Sequence, residues 1–131
     1  MGYRSHVGIC LAQDALNQLE ANIQTLPQLL QEEVRSLFED SEFTREDEGD
    51  RAWYWEGFKW YSSDPDIAFL TGYLADLDDE EYLYVRVGEN LDDVECHGSF
   101  WDNPFGMCLT RGIGFNEEEY ACTTPADPGS P

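Results

Sequence analysis

The segment YLYVRVGENLDDVE, residues 82–95, constrains the fold more than any other because its side chains first alternate and then turn. Alternation with a period of two is typical of a half-buried strand. The Gly-Glu-Asn sequence at 88–90 supplies a turn, and residues 91–96 can return as a second strand, so the segment predicts a β-hairpin. We expect one face of the first strand to pack against the helices. The apolar residues of that face are Leu83, Val85 and Val87.

Two regions have the apolar spacing of amphipathic helices. Residues 13–38 carry leucine, isoleucine and valine at helical intervals, but Pro27 interrupts them, so they predict two short helices or one kinked helix. Asp14 is placed to cap the first turn. A later helix is predicted to start at Asp64 and Pro65, because a capping residue followed by proline is a helix-start signal.

Further strands are predicted from alternation and aromatic content at residues 3–12, 51–61 and 107–115. With the hairpin, they give an α+β fold in the order β-α-α-β-α-β-β-β. Its sheet is antiparallel or mixed, has about four or five strands, and carries the helices on one face. A ferredoxin-like arrangement fits this order.

The length of 131 residues predicts a single domain, which we place at residues 1–122. Residues 123–131 (TTPADPGSP) are predicted to form a disordered C-terminal tail, because they are rich in proline and have no apolar side chain of any size to bury. No apolar stretch approaches the ~20 residues that span a bilayer, and the N-terminus lacks the pattern of a signal peptide. A soluble cytoplasmic protein is expected.

The charge is the strongest compositional signal, with 28 acidic residues against seven Lys and Arg, a formal net charge of −21. Direct nucleic-acid binding is disfavoured because phosphate contacts need Lys and Arg, and anionic membranes are disfavoured for the same reason. A basic protein surface is the partner that such a charge would attract. The alternative is that the acidity serves only solubility, or reflects a halophilic or generally acidic cytosol.

Three acidic clusters and one aromatic strand are the candidate partner-binding residues. The first cluster is read as an acidic loop over residues 39–50, the second precedes the hairpin, and the third lies in it. Exposed aromatic side chains of residues 51–61 would serve as apolar anchors, although core packing is the other reading of those rings. The candidates are Glu39, Asp40, Glu42, Glu46, Asp47, Glu48, Asp50, Trp53, Trp55, Tyr61, Asp76, Asp78, Asp79, Glu80, Glu81, Asp92, Asp93 and Glu95.

No residue set spells out a reaction, so no catalytic residue, metal or cofactor is predicted and the protein is expected not to be an enzyme. A metal-dependent enzyme could draw only on the hairpin carboxylates, and no basic group or glycine-rich loop is present to hold a phosphate. The four cysteines include no C-x-x-C pair and are predicted to be reduced and packed. A zinc site or a nucleophile–base pair from Cys96, Cys108, His6 and His97 is a weaker possibility, because Cys96 and His97 would point to opposite faces of a strand.

Short motifs resemble a group of small phage and prophage proteins. These are MGYRS at 1–5, FKWY at 58–61, and RVGE at 86–89 followed by Asp92-Asp93-Val94. Members of that group open with a similar strand, carry a central K-W-Y strand and close on an R-[VI]-G-E…D-D hairpin. The resemblance covers residues 1 to about 96. It implies a phage or mobile-element origin and a βααβαβ-type order, and it brings no catalytic residues.

Charge and resemblance together predict an acidic, phage-encoded inhibitor of a basic nucleic-acid-binding host defence protein, such as a CRISPR effector or a restriction enzyme. Duplex DNA carries one negative charge per ~1.7 Å of axis, so an array of carboxylates can occupy a site built for phosphate, as an anti-CRISPR DNA mimic would. Such a protein would act in the host cytoplasm as a monomer or homodimer. The alternative is a non-enzymatic phage accessory or structural protein.

Overall fold

The computed structural model describes residues 2–90 and 92–109. They form a five-stranded antiparallel sheet and three α-helices, which confirms the predicted α+β class. The sheet order is β2-β3-β1-β4-β5, so β3 lies between β1 and β2 as in a ferredoxin-like fold. The elements are β1 (Ser5–Leu11), α1 (Gln13–Gln24), α2 (Gln28–Glu39), β2 (Phe43–Asp47), β3 (Asp50–Phe58), α3 (Pro65–Ala75), a 3-10 turn (Asp79–Glu81), β4 (Tyr82–Val87) and β5 (Val94–Gly98).

The stretch predicted as an acidic loop contains an edge strand instead. β2 pairs antiparallel with β3 and all five of its residues are exposed. Glu48 and Gly49 connect the two strands with φ of 49° and 96°, as in the two-residue turns with positive φ that suit hairpins. Acidic residues are depleted in strands, which is why the sequence pattern concealed this one.

The C-terminal predictions lie mostly beyond the described residues. The predicted last strand covers residues 107–115, of which 107–109 are described and are not in a strand. Residues 110–115, the boundary at residue 122 and the tail at 123–131 lie outside the described residues. None of the helices in the described part of the chain is both long and apolar enough to cross a bilayer.

A β-bulge at Gly57 resets the alternation of β3. Ser5 lies opposite Phe58 and Val7 opposite Trp55, so three steps along β3 match two along β1. Gly57 takes φ 59°, which L side chains rarely adopt. Because of the extra residue, Phe58 returns to the same face as Trp55, and rings that strict alternation assigns to opposite faces share one core.

The helices pack on the face of the sheet that carries Trp53, Trp55, Tyr82 and Tyr84. Trp55 is fully buried, and its indole N–H donates to the carbonyl oxygen of Leu37 at 2.9 Å. Trp53 is only 6% exposed. Both tryptophans are therefore core residues, and the prediction that they are surface anchors is wrong, because α1 and α2 cover this strand.

The predicted packing of β4 is inverted in the structure. Leu83 and Val85 lie on the face away from the helices, in a second core with Cys10 and Ala52. Residues 100–109 cover that core. The tyrosine face can be buried against the helices because its hydroxyls find partners, and the buried Tyr73 of α3, for example, donates to the carbonyl of Ala15.

Asp50, rather than Asp14, caps α1. The N-cap position is Ala12, which has no side-chain cap, and the N–H of Gln13 donates to Asp50 Oδ1 at 2.9 Å. The predicted start of α3 at Pro65 is confirmed. That helix ends at Ala75, before the second acidic cluster.

The cysteines differ in state. Cys10 is fully buried, and burial raises the pKa of its thiol to about 12. Cys96 is free and exposed. Cys108 is disulfide-bonded, so the prediction of a reduced thiol is wrong at that position.

Candidate functional site: an acidic end and an aromatic cleft

Two of the predicted acidic clusters meet at one end of the sheet. Leu11, the last residue of β1, lies opposite Arg51 at the start of β3 and opposite Tyr82 at the start of β4. Neighbouring strands are ~4.8 Å apart, so the β2–β3 turn and the 3-10 turn before β4 lie within roughly 10–15 Å of each other. α1 begins between them.

Backbone contacts tie these three segments together. The N–H of Ala12 donates to the carbonyl of Glu81 at 2.9 Å, and the adjacent N–H of Gln13 donates to Asp50. Six exposed carboxylates surround this junction, and we call them the acidic end. They are Asp14, Asp47, Glu48, Asp78, Asp79 and Glu80.

The acidic end carries its charge without a neutralising cation. No ion pair within residues 2–90 and 92–109 involves any of its six carboxylates. Asp14 was assigned from the sequence to helix capping, and only the three-dimensional position of α1 adds it to this set. The acidic end is thus a compact group of exposed negative charges held by regular backbone.

The other members of the first two clusters lie apart from the acidic end or are engaged there. Glu39, Asp40 and Glu42 are exposed near the far end of β2, where the N–H of Glu42 donates to the carbonyl of Tyr54. Glu46 forms an exposed ion pair with Arg51 at 3.3 Å, and Asp50 is the cap of α1. Asp76 is exposed after α3, and Glu81 is half-buried.

The hairpin carboxylates do not extend the acidic end, because they lie at the opposite end of β4. Val87 pairs with Val94 there, and six residues of β4 separate the two sites by ~20 Å. Glu89 accepts the N–H of Arg4 at 2.6 Å, whereas Asp92 is exposed.

Arg86 engages the remaining two hairpin carboxylates. Its Nη2 lies 2.6 Å from Asp93 Oδ1, its Nε lies 3.1 Å from Glu95 Oε1, and its Nη1 donates to the buried hydroxyl of Ser5 at 2.9 Å. The hydrogen bond with Asp93 is the main reason why the pKa of Arg86 is raised. The hydroxyl of Tyr3 also donates to Asp93, at 2.6 Å.

Next to Arg86, a cleft of about 770 Å³ opens between α3 and the helix-facing side of β4 and β5. We call it the aromatic cleft. α1 and α2 pack farther along the sheet, and this part of the edge is left open. The residues that line it are Tyr3, Trp60, Tyr61, Ser62, Ser63, Thr71, Leu74, Ala75, Tyr82, Tyr84, Arg86, Asp93, Glu95 and His97.

Tyr84 is the polar centre of the cleft floor. Its hydroxyl accepts the indole N–H of Trp60 at 3.0 Å and donates to Glu95 Oε1 at 3.4 Å. The imidazole of His97 stacks on its ring, with centroids 5.8 Å apart and planes 10° apart. Burial, and then the charge of Glu95, raise the pKa of Tyr84, so its hydroxyl stays protonated at neutral pH.

Of the three predicted aromatic anchors, only Tyr61 remains accessible, and it is half-buried in the wall of the cleft. The sequence analysis missed the cleft because its floor consists of the tyrosines that were assigned to the face away from the helices. The pairing of Tyr84 with His97 and of Arg86 with Glu95 across the hairpin was the signal that could have revealed it.

The weaker chemical possibilities find no assembled site in the described residues. No three side chains of His, Cys, Asp or Glu within residues 2–90 and 92–109 are grouped closely enough to hold a metal ion. Cys96 lies opposite Val85 and His97 opposite Tyr84, so the two point to opposite faces, as predicted.

Comparison with known proteins adds no constraint on function. No protein-family model, curated protein or solved structure matches the chain. The function has to be inferred from the chemistry of the chain's own residues.

Proposed function

We propose that this protein is a non-enzymatic, phage- or mobile-element-encoded inhibitor that binds the basic, nucleic-acid-binding surface of a host protein. The observation that carries the proposal is the acidic end, where six exposed carboxylates from three chain segments converge without a cation. A defence protein that handles nucleic acid, such as a CRISPR effector or a restriction enzyme, presents a surface of that kind. Binding would take place in the host cytoplasm.

Fixed geometry is what makes the acidic end suitable for this role. Its carboxylates project from a two-residue hairpin turn, a 3-10 turn and the first turn of α1, which are joined by backbone hydrogen bonds. Charges held in place lose little conformational entropy on binding, unlike those of a flexible acidic tail. A basic groove that evolved for phosphates meets comparable spacing here, which is the physical basis of mimicry.

The net charge of −21 would also speed association. Complementary fields raise the rate of encounter between oppositely charged proteins, and added salt screens them. The same charge destabilises the compact fold through self-repulsion, so its retention is more easily explained by a binding role than by solubility, for which a net charge of ~2–8 suffices.

The second candidate is a phage accessory or structural protein whose acidity serves solubility. The observation that favours it is the spread of exposed acids beyond the acidic end, such as Glu32 and Glu33 of α2 and Glu56 of β3. In that case binding would depend on the total charge and would not depend on where the charge lies.

Two matched variants separate these functions. The first, Glu48→Gln with Asp79→Asn and Glu80→Gln, removes three charges from the acidic end. The control, Glu33→Gln with Glu56→Gln and Asp102→Asn, removes three exposed charges elsewhere. Each protein is immobilised and exposed to a bacterial lysate at about 0.05 M and about 0.5 M NaCl, which differ several-fold in screening length.

We expect the unmodified protein and the control to retain a basic nucleic-acid-binding protein at low salt, and the acidic-end variant to lose it. The purified partner should then release bound duplex DNA when the inhibitor is added. Equal losses in both variants would favour acidity as a solubility trait, and retention of no host protein at low salt would refute the inhibitor.

A further inference from the structure

The aromatic cleft is the largest recess of the described residues that the acidic end does not include, and its lining fits a definite ligand chemistry. Its floor is formed by the rings of Trp60, Tyr82 and Tyr84, which are 4–7% exposed. Leu74 and Ala75 of α3 give it an apolar wall. An apolar recess with a few convergent polar groups is the usual form of a ligand site.

The charge at the rim favours a cation. Asp93 and Glu95 carry two negative charges against the single positive charge of Arg86. Their side chains are 30% and 47% exposed, so a ligand can reach them. The field at the rim is therefore negative even after the internal ion pairs have formed.

An anionic ligand is disfavoured because Arg86 has little capacity left. Its Nε, Nη1 and Nη2 all donate to oxygens of the protein, and its side chain is only 13% exposed. To bind a phosphate or carboxylate, it would have to leave two carboxylates without a partner, which is costly for partly buried charges.

The local chemistry already shows how a guanidinium is held at this rim. Glu95 receives the Nε–H of Arg86 and the hydroxyl of Tyr84 on Oε1, whereas no hydrogen bond occupies Oε2. A second guanidinium can donate to that oxygen while its aliphatic stem lies along Leu74 and Ala75. Arginine suits this arrangement because its planar head combines carboxylate hydrogen bonds with contacts to aromatic rings.

We infer that the aromatic cleft receives an arginine side chain from the basic partner. The inference rests on the proposed function, and it adds a specific contact at the opposite end of β4 from the acidic end. The acidic end would then steer a basic surface toward the protein, while the cleft would select an arginine at a fixed position on it.

The test uses a blocked tripeptide, N-acetyl-Gly-Arg-Gly-amide, with the whole protein. Binding is followed by NMR through the indole N–H of Trp60, which lies in the cleft floor and donates to Tyr84. Control peptides replace arginine with citrulline, which keeps the shape without the charge, or with lysine, which keeps the charge without the planar head. We expect the arginine peptide to shift the Trp60 signal, the lysine peptide to bind several-fold more weakly, and the citrulline peptide to have no effect.

Two variants place the contact. Glu95→Gln is expected to weaken arginine binding about tenfold, since a charge-assisted hydrogen bond is lost. Glu80→Gln removes the same charge from the acidic end and should change the affinity less than twofold. Ser63→Leu narrows the mouth of the cleft without altering any carboxylate, and should also abolish the Trp60 shift.

Equal binding of the citrulline peptide, or equal effects of Glu95→Gln and Glu80→Gln, would overturn the inference. These outcomes are independent of the proposed function. If the peptide fails while the acidic-end variant still loses its host partner, the inhibitor stands without an arginine site. If the peptide binds and no host partner is retained, the arginine site stands and the inhibitor falls.

Discussion

Asp50 on β3 accepts the N–H of Gln13 on α1 at 2.9 Å, across 37 positions of the sequence. This single hydrogen bond joins the β2–β3 hairpin to the first helix. It satisfies one of the N–H groups that every helix leaves free at its start, and it places a negative charge at the positive end of the helix dipole. The acidic end depends on it for the relative position of two of its three segments.

Replacing Asp50 with alanine should lower the free energy of unfolding by about 1 kcal/mol, the usual effect of losing a helix cap. Asp14→Ala is the matched control, because it removes the same charge from the same helix turn without removing a hydrogen bond. Urea unfolding followed by circular dichroism measures both. A larger loss for Asp14→Ala would mean that Asp14 is the cap in solution.

Arg86 should contribute more to stability than any exposed ion pair. Arg86→Met leaves Asp93 and Glu95 without their cation in a partly buried position, and we expect a loss of about 1–3 kcal/mol after allowing for their exposure. Arg35→Met is the control, since its pair with Glu20 is 42% and 51% exposed and should contribute about 0–1 kcal/mol. Similar losses from the two variants in urea titrations would contradict the assigned role of Arg86.

Two glycines should respond to alanine with opposite signs. Gly57 has φ 59° in the bulge, so Gly57→Ala is expected to destabilise the fold by about 1 kcal/mol through backbone strain alone, because its Cβ would meet no atom within 4 Å. Gly72 lies inside α3, and a Cβ there also meets nothing within 4 Å. Gly72→Ala should therefore stabilise by about 0.5–1 kcal/mol.

Thermal unfolding of both glycine variants, compared with the unmodified chain, measures the two signs. Stabilisation by Gly57→Ala would show that the bulge is absent in solution. The register of β3, and with it the burial of Phe58 on the helix side, would then need to be redrawn.

Thiol labelling should distinguish two of the cysteines. Cys96 is exposed and should react with a maleimide in the native protein, although partial burial raises its pKa and slows the reaction. Cys10 is fully buried with a pKa raised to about 12, so it should react only in denaturant. Peptide mapping by mass spectrometry identifies the labelled residue, with Cys96→Ser as the control. Native labelling of Cys10 would contradict the cover that residues 100–109 form over the second core.

Local patterns predicted much of the fold correctly. The alternation of β1 and β4, the proline at the start of α3 and the break at Pro27 each gave an element that the structure contains. These signals depend on neighbouring residues in the chain, and so a single sequence carries them. Strand β2 was missed because its acidic side chains, exposed at an edge, satisfy no hydrophobic pattern.

The orientation of β4 could not be predicted from its own residues. Leucine and valine on one face and tyrosine on the other are both apolar enough to be buried, and the choice is made by distant partners. Trp60 supplies a donor to Tyr84 on the helix side, while Met107 and Phe105 cover Val85 on the other. The acidic end and the aromatic cleft share this cause, since each is assembled from segments that only the sheet brings together.

The position of β1 has a consequence for how the chain is made. This strand leaves the ribosome first, yet it lies in the middle of the sheet and pairs with β3 and β4, and Cys10 within it lies 3.4 Å from Met107, which is 97 residues later. Contacts so distant in sequence form slowly, and none of them can form until the partner has been synthesised. Assembly of the native sheet is therefore a late event that waits for nearly the whole described chain, and until then the apolar β1 has neither neighbour.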